Sequence, residues 1–350
     1  MSSLIIFAVA LALGLFTQPL VIRWADRHQH FDQTDDRKCH RGQISSLGGI
    51  AWFGASLLPV GLLLILEQSY FLMPLLACML VLFGLSLWDD FRPLPALFRL
   101  GFQVILSIAI YLAGWQLPLG WLSFPATILF ILLMINAYNF IDGINGLLGT
   151  ISLLAFCGFG IIFSLQEQQL WALMSWSAAG GSLAFLRYNF GRSARIFMGD
   201  NGSTVIGLLL ATFFLQSTKS ITVTQLPTII PALVLIALPI LDLVRVVLVR
   251  LKQGHSPFHA DRQHFHHLFV DFGWTAPEVC RLVIRQKLVL LMFCWGIPVL
   301  GFQLLFLLGG FGGLFWFAYQ QVTGATSSPT PVKGVEKPVL LGQSAEGLRA

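Results

Sequence analysis

The sequence predicts an all-α, polytopic integral membrane protein with 10 or 11 transmembrane helices. Its 350 residues are 56% hydrophobic and only 11% charged, and the mean hydropathy is +0.78. Apolar runs long enough to cross a bilayer recur from one end of the chain to the other. Because lipid cannot hydrogen-bond backbone amides, these runs are expected to be helices. We expect one transmembrane domain at 1–321 and a disordered tail, rich in Ser, Thr, Pro and Gly, at 322–350.

Nine apolar runs each predict one span, and a final apolar block at 287–320 predicts two more. That block would be about 50 Å long as a single helix, which exceeds a hydrocarbon core of about 30 Å. We therefore expect a break near Gly301 or within Gly309–Gly313. The first run lacks the basic start and cleavage site of a signal peptide, so it predicts a retained span. The nine spans are 1–22, 47–66, 70–88, 100–117, 121–138, 146–166, 170–187, 202–218 and 226–249.

The distribution of lysine and arginine predicts the orientation. Loops after odd-numbered spans, with the span ends that flank them, contain 17 of the 21 basic residues, whereas loops after even-numbered spans contain only Lys219. The positive-inside rule then places the odd loops in the cytoplasm and the N-terminus in the periplasm. Because the basic residues are span anchors, the pI near 9.1 does not indicate a nucleic-acid partner. The five cysteines form no CxxC pair, so neither a disulfide framework nor a thiolate metal site is indicated.

Four aspartates lie at the ends of predicted spans, all on the predicted cytoplasmic face: Asp89, Asp90, Asp142 and Asp200. Carboxylates at the edge of a bilayer are costly and usually functional. A basic, histidine-rich segment at 261–269 is predicted on the same face. Together these features predict a metal-bound site that handles phosphate.

The Asp89–Asp90 pair closes the third predicted span. Adjacent residues on a helix do not share a face, so one carboxylate can bind a metal while the other accepts a proton or a hydrogen bond. The C-terminal end of a helix disfavours anions, and the pair therefore requires a compensating cation. The alternative is a helix-terminal pair that faces water.

Residues 136–149 (NAYNFIDGINGLLG) are the most informative segment. Asn136, Asn139 and Asp142 are spaced by three, which predicts that they line one face of a helical turn. Their hard oxygen atoms suit Mg²⁺ or sugar hydroxyls. Gly143 and Gly146 would let the backbone bend or a ligand approach closely. The alternative is a polar cap and glycine turn between two spans.

Residues 197–204 (FMGDNGST) precede the eighth predicted span. Asp200 would lie beside the start of a helix, where free backbone N–H groups favour anions such as phosphate. It is predicted to bind Mg²⁺, with helix capping as the alternative. Phe197 would be placed to stack on a flat base, although a single aromatic residue also suits packing.

The segment 261–269 (DRQHFHHLF) contains Arg262, His264, His266 and His267. His264 and His266 would not share a helical face, and no cysteine is nearby, so zinc is disfavoured. Imidazoles and a fixed guanidinium suit a pyrophosphate better. The segment is therefore predicted to bind phosphate.

In this order, the motifs resemble those of the polyprenyl-phosphate N-acetylhexosamine-1-phosphate transferases of the glycosyltransferase family 4 type. The resemblance runs from the basic segment 37–49 to the segment 261–269, which is most similar to the branch that transfers N-acetylglucosamine 1-phosphate to undecaprenyl phosphate. That branch primes O-antigen and enterobacterial common antigen. The resemblance implies a bacterial inner-membrane enzyme that converts UDP-GlcNAc and undecaprenyl phosphate to undecaprenyl-pyrophosphoryl-GlcNAc and UMP. It further implies Mg²⁺, or alternatively Mn²⁺, as cofactor, and it is compatible with a homodimer.

The same resemblance implies a role for each motif. Asp200 and Asp142 would bind the metal, with Asp142 also acting on the diphosphate. Asp89 or Asp90 would position or deprotonate the lipid phosphate. Substrate-binding roles fall to Asn136, Asn139, Asn145, Phe197, Arg262, His264, His266 and His267.

Several positions depart from the family pattern. The family commonly has Asp where this chain has Asn145, which cannot be a nucleophile or base but can hydrogen-bond the uridine. Direct attack by the lipid phosphate is therefore preferred over a double displacement. Pro93 stands at the place of a third acidic residue and Leu97 at that of a lysine, which leaves Arg92 or Arg99 as a substitute. Asn201 stands where a small apolar residue is usual.

Two alternatives differ from this reading. One is the same reaction with another donor sugar, such as N-acetylated galactosamine, fucosamine or quinovosamine. The other is an ion-coupled transporter, since acids within a membrane also mark ion paths. The clustering of the acids at one face, rather than at the midplane, argues against transport.

Overall fold

The structure is a computed structural model that describes residues 2–31, 44–66, 70–191, 193–219, 229–257, 261–297 and 299–324. The predicted tail lies outside these residues from 325 onward, as does the basic segment 37–49 up to residue 43. Within the described ranges the fold is all-α, as predicted. The helices are α1 (Ser2–Arg27), α2 (Gly48–Leu66), α3 (Met73–Phe91), α4 (Ala96–Leu112), α5 (Ser123–Phe140), α6 (Leu147–Leu165), α7 (Gln169–Asn189), α8 (Asp200–Thr218), α9 (Ile230–Lys252), α10 (Phe265–Asp271), α11 (Ala276–Gly296) and α12 (Leu300–Gly324).

The protein is a multi-pass membrane protein. In the part of the chain that the structure describes, six helices are long and apolar enough to cross a bilayer, and two shorter apolar helices accompany them. The predicted count of 10 or 11 spans and the predicted orientation stay predictions. The six helical segments are Ser2–Arg27, Gly48–Ile65, Tyr70–Phe91, Gly120–Phe140, Leu147–Leu165 and Ile230–Lys252.

The final apolar block is divided close to the first of the two predicted positions. α11 ends at Gly296 and α12 begins at Leu300, with Pro298 between them in the sequence. Proline disfavours helical backbone at the preceding residue and cannot donate a helical hydrogen bond, which accounts for the break. The alternative break within Gly309–Gly313 is wrong, because α12 continues through these glycines. α11 also starts earlier than predicted, at a capping box formed by Thr275 and Glu278.

The eighth helix lies at the centre of the bundle. All of its residues except Asp200 and Gln216 are buried. It packs against α3, α5 and α2, while α1 packs against α2 and α7 on the other side of the bundle. The start of α8 therefore lies where the ends of its neighbours can reach it.

A short pairing of two loops orients the start of α8. Ser45 and Ile196 form a parallel bridge, and the Gly49 N–H donates to the Met198 carbonyl at 2.8 Å. A Cβ atom on Gly49 would lie 2.1 Å from the Asn201 side-chain oxygen, so only glycine permits this approach. The described end of the segment 37–49 is thus packed against the loop that precedes α8.

Candidate active site

The ends of α3 and α5 meet the start of α8 at one end of the bundle, and an ion-pair network joins them. The Arg99 Nη1 atom of α4 lies 2.6 Å from Asp89 Oδ2 and 3.1 Å from Asp200 Oδ2. The Leu94 N–H donates to the other oxygen of Asp89 at 2.6 Å. Arg99 is thus the cation that the carboxylate at the end of α3 was expected to require.

Asp200 is the accessible carboxylate of this network. Its Oδ1 accepts a hydrogen bond of 2.7 Å from Asn139, whose side-chain nitrogen also lies 3.0 Å from the Ser203 hydroxyl. The Asp200 side chain is 32% exposed and that of Arg99 is 40% exposed, whereas that of Asp89 is only 7% exposed. A ligand that approaches this end of the bundle would therefore meet Asp200 and Arg99 first.

Asp90 binds the first turn of α8. Its Oδ1 accepts the Asp200 N–H at 3.1 Å, and its Oδ2 accepts the Asn201 N–H at 2.9 Å and the Asn201 side-chain amide at 2.5 Å. Because Gly199 at the N-cap has no side chain, Asp90 supplies the cap from another helix. The two adjacent aspartates thus point to different partners, as predicted.

The start of α8 differs from the expected phosphate-binding turn. The N–H groups of Asp200 and Asn201 donate to Asp90, and those of Gly202 and Ser203 donate to the Gly199 carbonyl. The first four amides are therefore already bonded, and none is left for a phosphate. Asp200 itself is the first helical residue. Because Asp90 caps the helix, the Asp200 carboxylate does not serve as the cap.

Asp142 lies in the turn that follows α5. The helix ends at Phe140, so Asn139 and Asp142 do not share one helical stripe as the spacing predicted. Asp142 Oδ2 instead accepts the Gly199 N–H at 3.1 Å, which places this carboxylate beside the start of α8. Gly146 then adopts a left-handed conformation (φ = 80°) as α6 begins.

The histidine segment is attached to α9 by Asp242. His264 Nδ1 lies 2.8 Å from Asp242 Oδ2, and the Phe265 N–H donates to Asp242 Oδ1 at 3.1 Å. Arg245 donates to the same carboxylate at 2.8 Å. The sequence analysis did not single out Asp242. Its position as an acidic residue inside a predicted apolar span was the signal that could have identified it.

Asp261 attaches the start of the same segment. It accepts hydrogen bonds of 2.8 and 3.0 Å from the buried Arg250 guanidinium at the end of α9. Burial raises the pKa of Asp261, but the hydrogen bonds from Arg250 and from the Gln263 N–H outweigh it and bring the pKa below 3.8. The carboxylate is therefore charged at neutral pH.

The histidines reach the turn that contains Asp142. His264 stacks on Phe140, with ring centroids 5.3 Å apart. His266 is fully buried, and its Nε2 would lie 2.4 Å from a Cβ on Gly143, so this glycine makes room for the imidazole. The structure thus brings Asp142 and the histidine segment to the same end of the bundle as Asp89 and Asp200.

Two of the imidazoles are neutral at physiological pH. Burial, followed by the neighbouring positive groups, lowers the pKa of His266 well below 6.5. Burial and the charge of Arg262 lower the pKa of His267 to about 4. At that pH these two imidazoles therefore act as neutral hydrogen-bonding groups rather than as cations.

Two predicted substrate-binding residues lie away from the network. Asn136 donates to the Gln103 side chain at 2.8 Å, one turn of α5 before Asn139. Phe197 is 7% exposed and belongs to a small apolar cluster with Ile44 and Ala194. Phe197 therefore packs the loop pairing beside the site rather than presenting an open ring.

Two others lie at the edge of the site. Arg262 forms an ion pair with Asp271 at 2.5 Å, at the surface of α10. Asn145 donates from its side-chain amide to the Gly191 carbonyl at 3.2 Å, which joins the turn after α5 to the loop after α7. Their roles toward substrate stay predictions.

Comparisons with known proteins decide the family. Residues 72–218 match the family described as glycosyl transferase family 4. The undecaprenyl-phosphate alpha-N-acetylglucosaminyl 1-phosphate transferase of Escherichia coli K12 is 31% identical over 270 residues, which cover 72% of each chain. The proteins of that name in Yersinia pestis and Haemophilus influenzae are 31% identical over 292 residues and 33% identical over 309 residues, covering 78–79% and 83–84% of the two chains.

The chain belongs to glycosyl transferase family 4. The matched region of this family 4 protein, 72–218, contains Asp89, Asn139 and Asp200, and so includes the whole ion-pair network. The histidine segment follows this region and is attached to α9 through Asp242. The site is thus assembled from two consecutive parts of the chain.

Proposed function

We propose that this protein transfers N-acetylglucosamine 1-phosphate from UDP-GlcNAc to undecaprenyl phosphate, giving undecaprenyl-pyrophosphoryl-GlcNAc and UMP. The observation that carries the proposal is the Asp89–Arg99–Asp200 network with Asn139, in a chain whose relatives bear the name of this activity. The reaction would prime O-antigen or enterobacterial common antigen type glycans. We place it at the cytoplasmic face of a bacterial inner membrane, where the positive-inside rule puts this end of the bundle.

The reaction joins two anionic substrates, and the site offers groups that offset their repulsion. The acceptor phosphate must approach the β-phosphate of the nucleotide sugar. Arg99 is 40% exposed beside Asp200, and Arg245 lies beside His264 through their shared partner Asp242. Fixed guanidinium groups near the transferred phosphoryl group stabilise the charge that develops in the transition state.

The carboxylates suit Mg²⁺. Among the described residues no group of three or more His, Cys, Asp or Glu side chains forms a metal site by itself. Mg²⁺ usually needs only one or two carboxylates, because substrate phosphates and water complete its coordination. Asp200, whose side chain is 32% exposed, would bind Mg²⁺ with Asp142 beside it, and Mn²⁺ would suit the same oxygen atoms. When bound, the ion would polarise the transferred phosphoryl group and neutralise its charge.

The two aspartates of the pair receive different roles. Asp90 is engaged by three hydrogen bonds from the start of α8, and we assign it to that structural task. Asp89 faces Arg99 and Asp200, and we assign it to the lipid phosphate, which it would position or deprotonate. His264, His266 and His267 would then bind the diphosphate or sugar, together with Arg262.

The chemistry is expected to be a single displacement. Asn145 occupies the position at which the family commonly has an aspartate, and an amide cannot attack phosphorus or accept a proton. The lipid phosphate would therefore attack the β-phosphate directly. Asn145 would instead orient the uridine end of the donor.

A donor assay tests the proposal. Purified protein in detergent would be given Mg²⁺, undecaprenyl phosphate and radiolabelled UDP-GlcNAc, with UDP-GalNAc in parallel. We expect a labelled lipid and an equal amount of UMP from UDP-GlcNAc, and neither product from Asp200→Asn. A labelled lipid from UDP-GalNAc alone would establish a different donor sugar, and no labelled lipid from either donor would contradict the proposal.

A further inference from the structure

A proline inside α9 leaves one backbone carbonyl without its helical partner. Pro239 has no N–H, so it cannot donate to the Leu235 carbonyl four residues earlier. Both residues are buried. A buried backbone carbonyl without a hydrogen-bond donor is costly, so a proline at this buried position requires a donor from elsewhere.

The donor is a buried lysine on another helix. Lys287 of α11 is fully buried, and its Nζ lies 2.5 Å from the Leu235 oxygen. Among the described residues, no carboxylate forms an ion pair with Lys287. A fully buried ammonium group is costly unless its N–H groups find acceptors. Here the lysine satisfies the one carbonyl that the proline releases.

The part of α9 beyond the proline carries the attachments of the histidine segment. Asp242 and Arg245 follow Pro239 by three and six residues, and Arg250 is close to the end of the helix. Asp242 binds His264, and Arg250 binds Asp261. A change in the direction of α9 at Pro239 would therefore displace the whole segment.

We propose that Lys287 is a positioning residue for the histidine segment. By bonding the Leu235 carbonyl it fixes the proline-containing turn of α9 against α11. That contact sets the direction in which Asp242 and Arg250 leave the turn. The inference rests on the proposed function only in those experiments that measure enzyme activity.

A mutant cycle with the proline tests the inference. Lys287→Met keeps the length of the side chain and removes the donor, while Pro239→Ala restores an N–H that can bond Leu235. We expect Lys287→Met alone to lower kcat by about tenfold, a loss typical of a displaced binding group, and to raise the apparent KM for the UDP-sugar. In the Pro239→Ala background the same substitution should change kcat by less than about twofold, because the carbonyl is already satisfied.

Gln286→Met is the matched control. Gln286 is adjacent on α11 and donates to the Gly310 carbonyl of α12 at 2.8 Å, so it is a polar contact of the same helix that does not involve the proline. Its effect should be the same in both Pro239 backgrounds. Equal losses from Lys287→Met in both backgrounds, or no loss in either, would overturn the inference.

Hydrogen–deuterium exchange supplies a readout that needs no activity. Lys287→Met should raise exchange in peptides from 240–272 in the Pro239 background, and this increase should disappear with Pro239→Ala. Unchanged exchange in all variants would contradict the positioning role. If the wild-type protein showed no transferase activity, the proposed function would fail, while the exchange pattern would still decide the role of Lys287.

Discussion

The Oδ2 atom of Asp90 lies 2.9 Å from the backbone nitrogen of Asn201, so the end of α3 caps the first turn of α8. The same oxygen accepts the Asn201 side-chain amide. The Asn201 amide also donates to the Ser46 carbonyl at 3.0 Å. This residue thus ties three parts of the chain together beside the site.

The first prediction separates the two adjacent aspartates. Asp90→Ala should lower thermal stability, because it leaves buried N–H groups of Asp200 and Asn201 without acceptors. Loss of a cap typically costs about 1 kcal/mol, which in a chain of this length lowers the melting temperature by about 1–2 °C. The Asp89→Asn variant should have a melting temperature closer to that of the wild type. Its kcat should nevertheless fall by at least about a hundredfold, which is the loss typical when a group that transfers a proton is removed.

Thermal denaturation in detergent and the transferase assay, run on the same preparations, measure both effects. A variant Asp90→Ala that melts like the wild type would show that the cap contributes nothing to stability. Full activity of Asp89→Asn would contradict its assignment to the lipid phosphate.

A second prediction concerns Arg99 and the metal. The guanidinium bonds both Asp89 and Asp200, and so competes with a cation for these carboxylates. Arg99→Met should therefore tighten the binding of Mn²⁺, used as a spectroscopic probe, while it lowers kcat because a positive charge near the phosphates is lost. Electron paramagnetic resonance of free Mn²⁺ measures the binding. Arg92→Met, at an exposed arginine directly after α3, is the control and should leave Mn²⁺ binding unchanged.

A third prediction uses two glycines of one helix. Gly49→Ala would place a Cβ atom 2.4 Å from the Gly202 nitrogen and should push the start of α8 away. A displacement of this size is expected to lower kcat by at least about tenfold. Gly61→Ala has open space at the Cβ position in the same helix, so it should keep full activity and melt no lower than the wild type. Equal activity of the two variants would refute the close approach at Gly49.

A fourth prediction is a pH dependence of stability. The pKa of His267 is about 4 in the folded protein and 6.5 without burial, so the unfolded chain binds more protons between these values. Stability should therefore fall as the pH decreases from about 6.5 toward 4 and be unaffected by this group above about pH 7. Melting temperatures at pH 7.5, 6.0 and 5.0 measure the effect. His267→Asn should flatten the decline, whereas His28→Asn, at an exposed histidine directly after α1, should preserve it. Parallel declines in the wild type and both variants would exclude His267 as the cause.

The sequence indicated the fold because its signals are strong and local. Long apolar runs admit only helices in lipid, and eleven of the twelve described helices lie close to predicted spans. The short helix α10 was not predicted, because its seven residues carry no periodic signal of their own. The start of α11 was predicted too late for a related reason: hydropathy does not register the capping box formed by Thr275 and Glu278.

For the candidate site, the sequence predicted which side chains the structure brings together at one end of the bundle. Asp89, Asn139, Asp142 and Asp200 meet at one end of the bundle, as their positions at span ends predicted. Asp242 was missed, since a single acid in a predicted span was treated as part of the apolar run. Its importance comes from His264, which lies 22 residues later in the chain.

The sequence by itself determined the class of protein, the membrane environment and the residue types available for chemistry, because these depend on composition and on neighbours along the chain. Only the tertiary structure decided that Asp90 caps α8 while Asp89 faces Arg99, and that Lys287 satisfies the carbonyl released by Pro239. Which partner a buried polar group bonds depends on helices that meet in space. The energy of leaving such a group unpaired, rather than any local pattern, selects that partner.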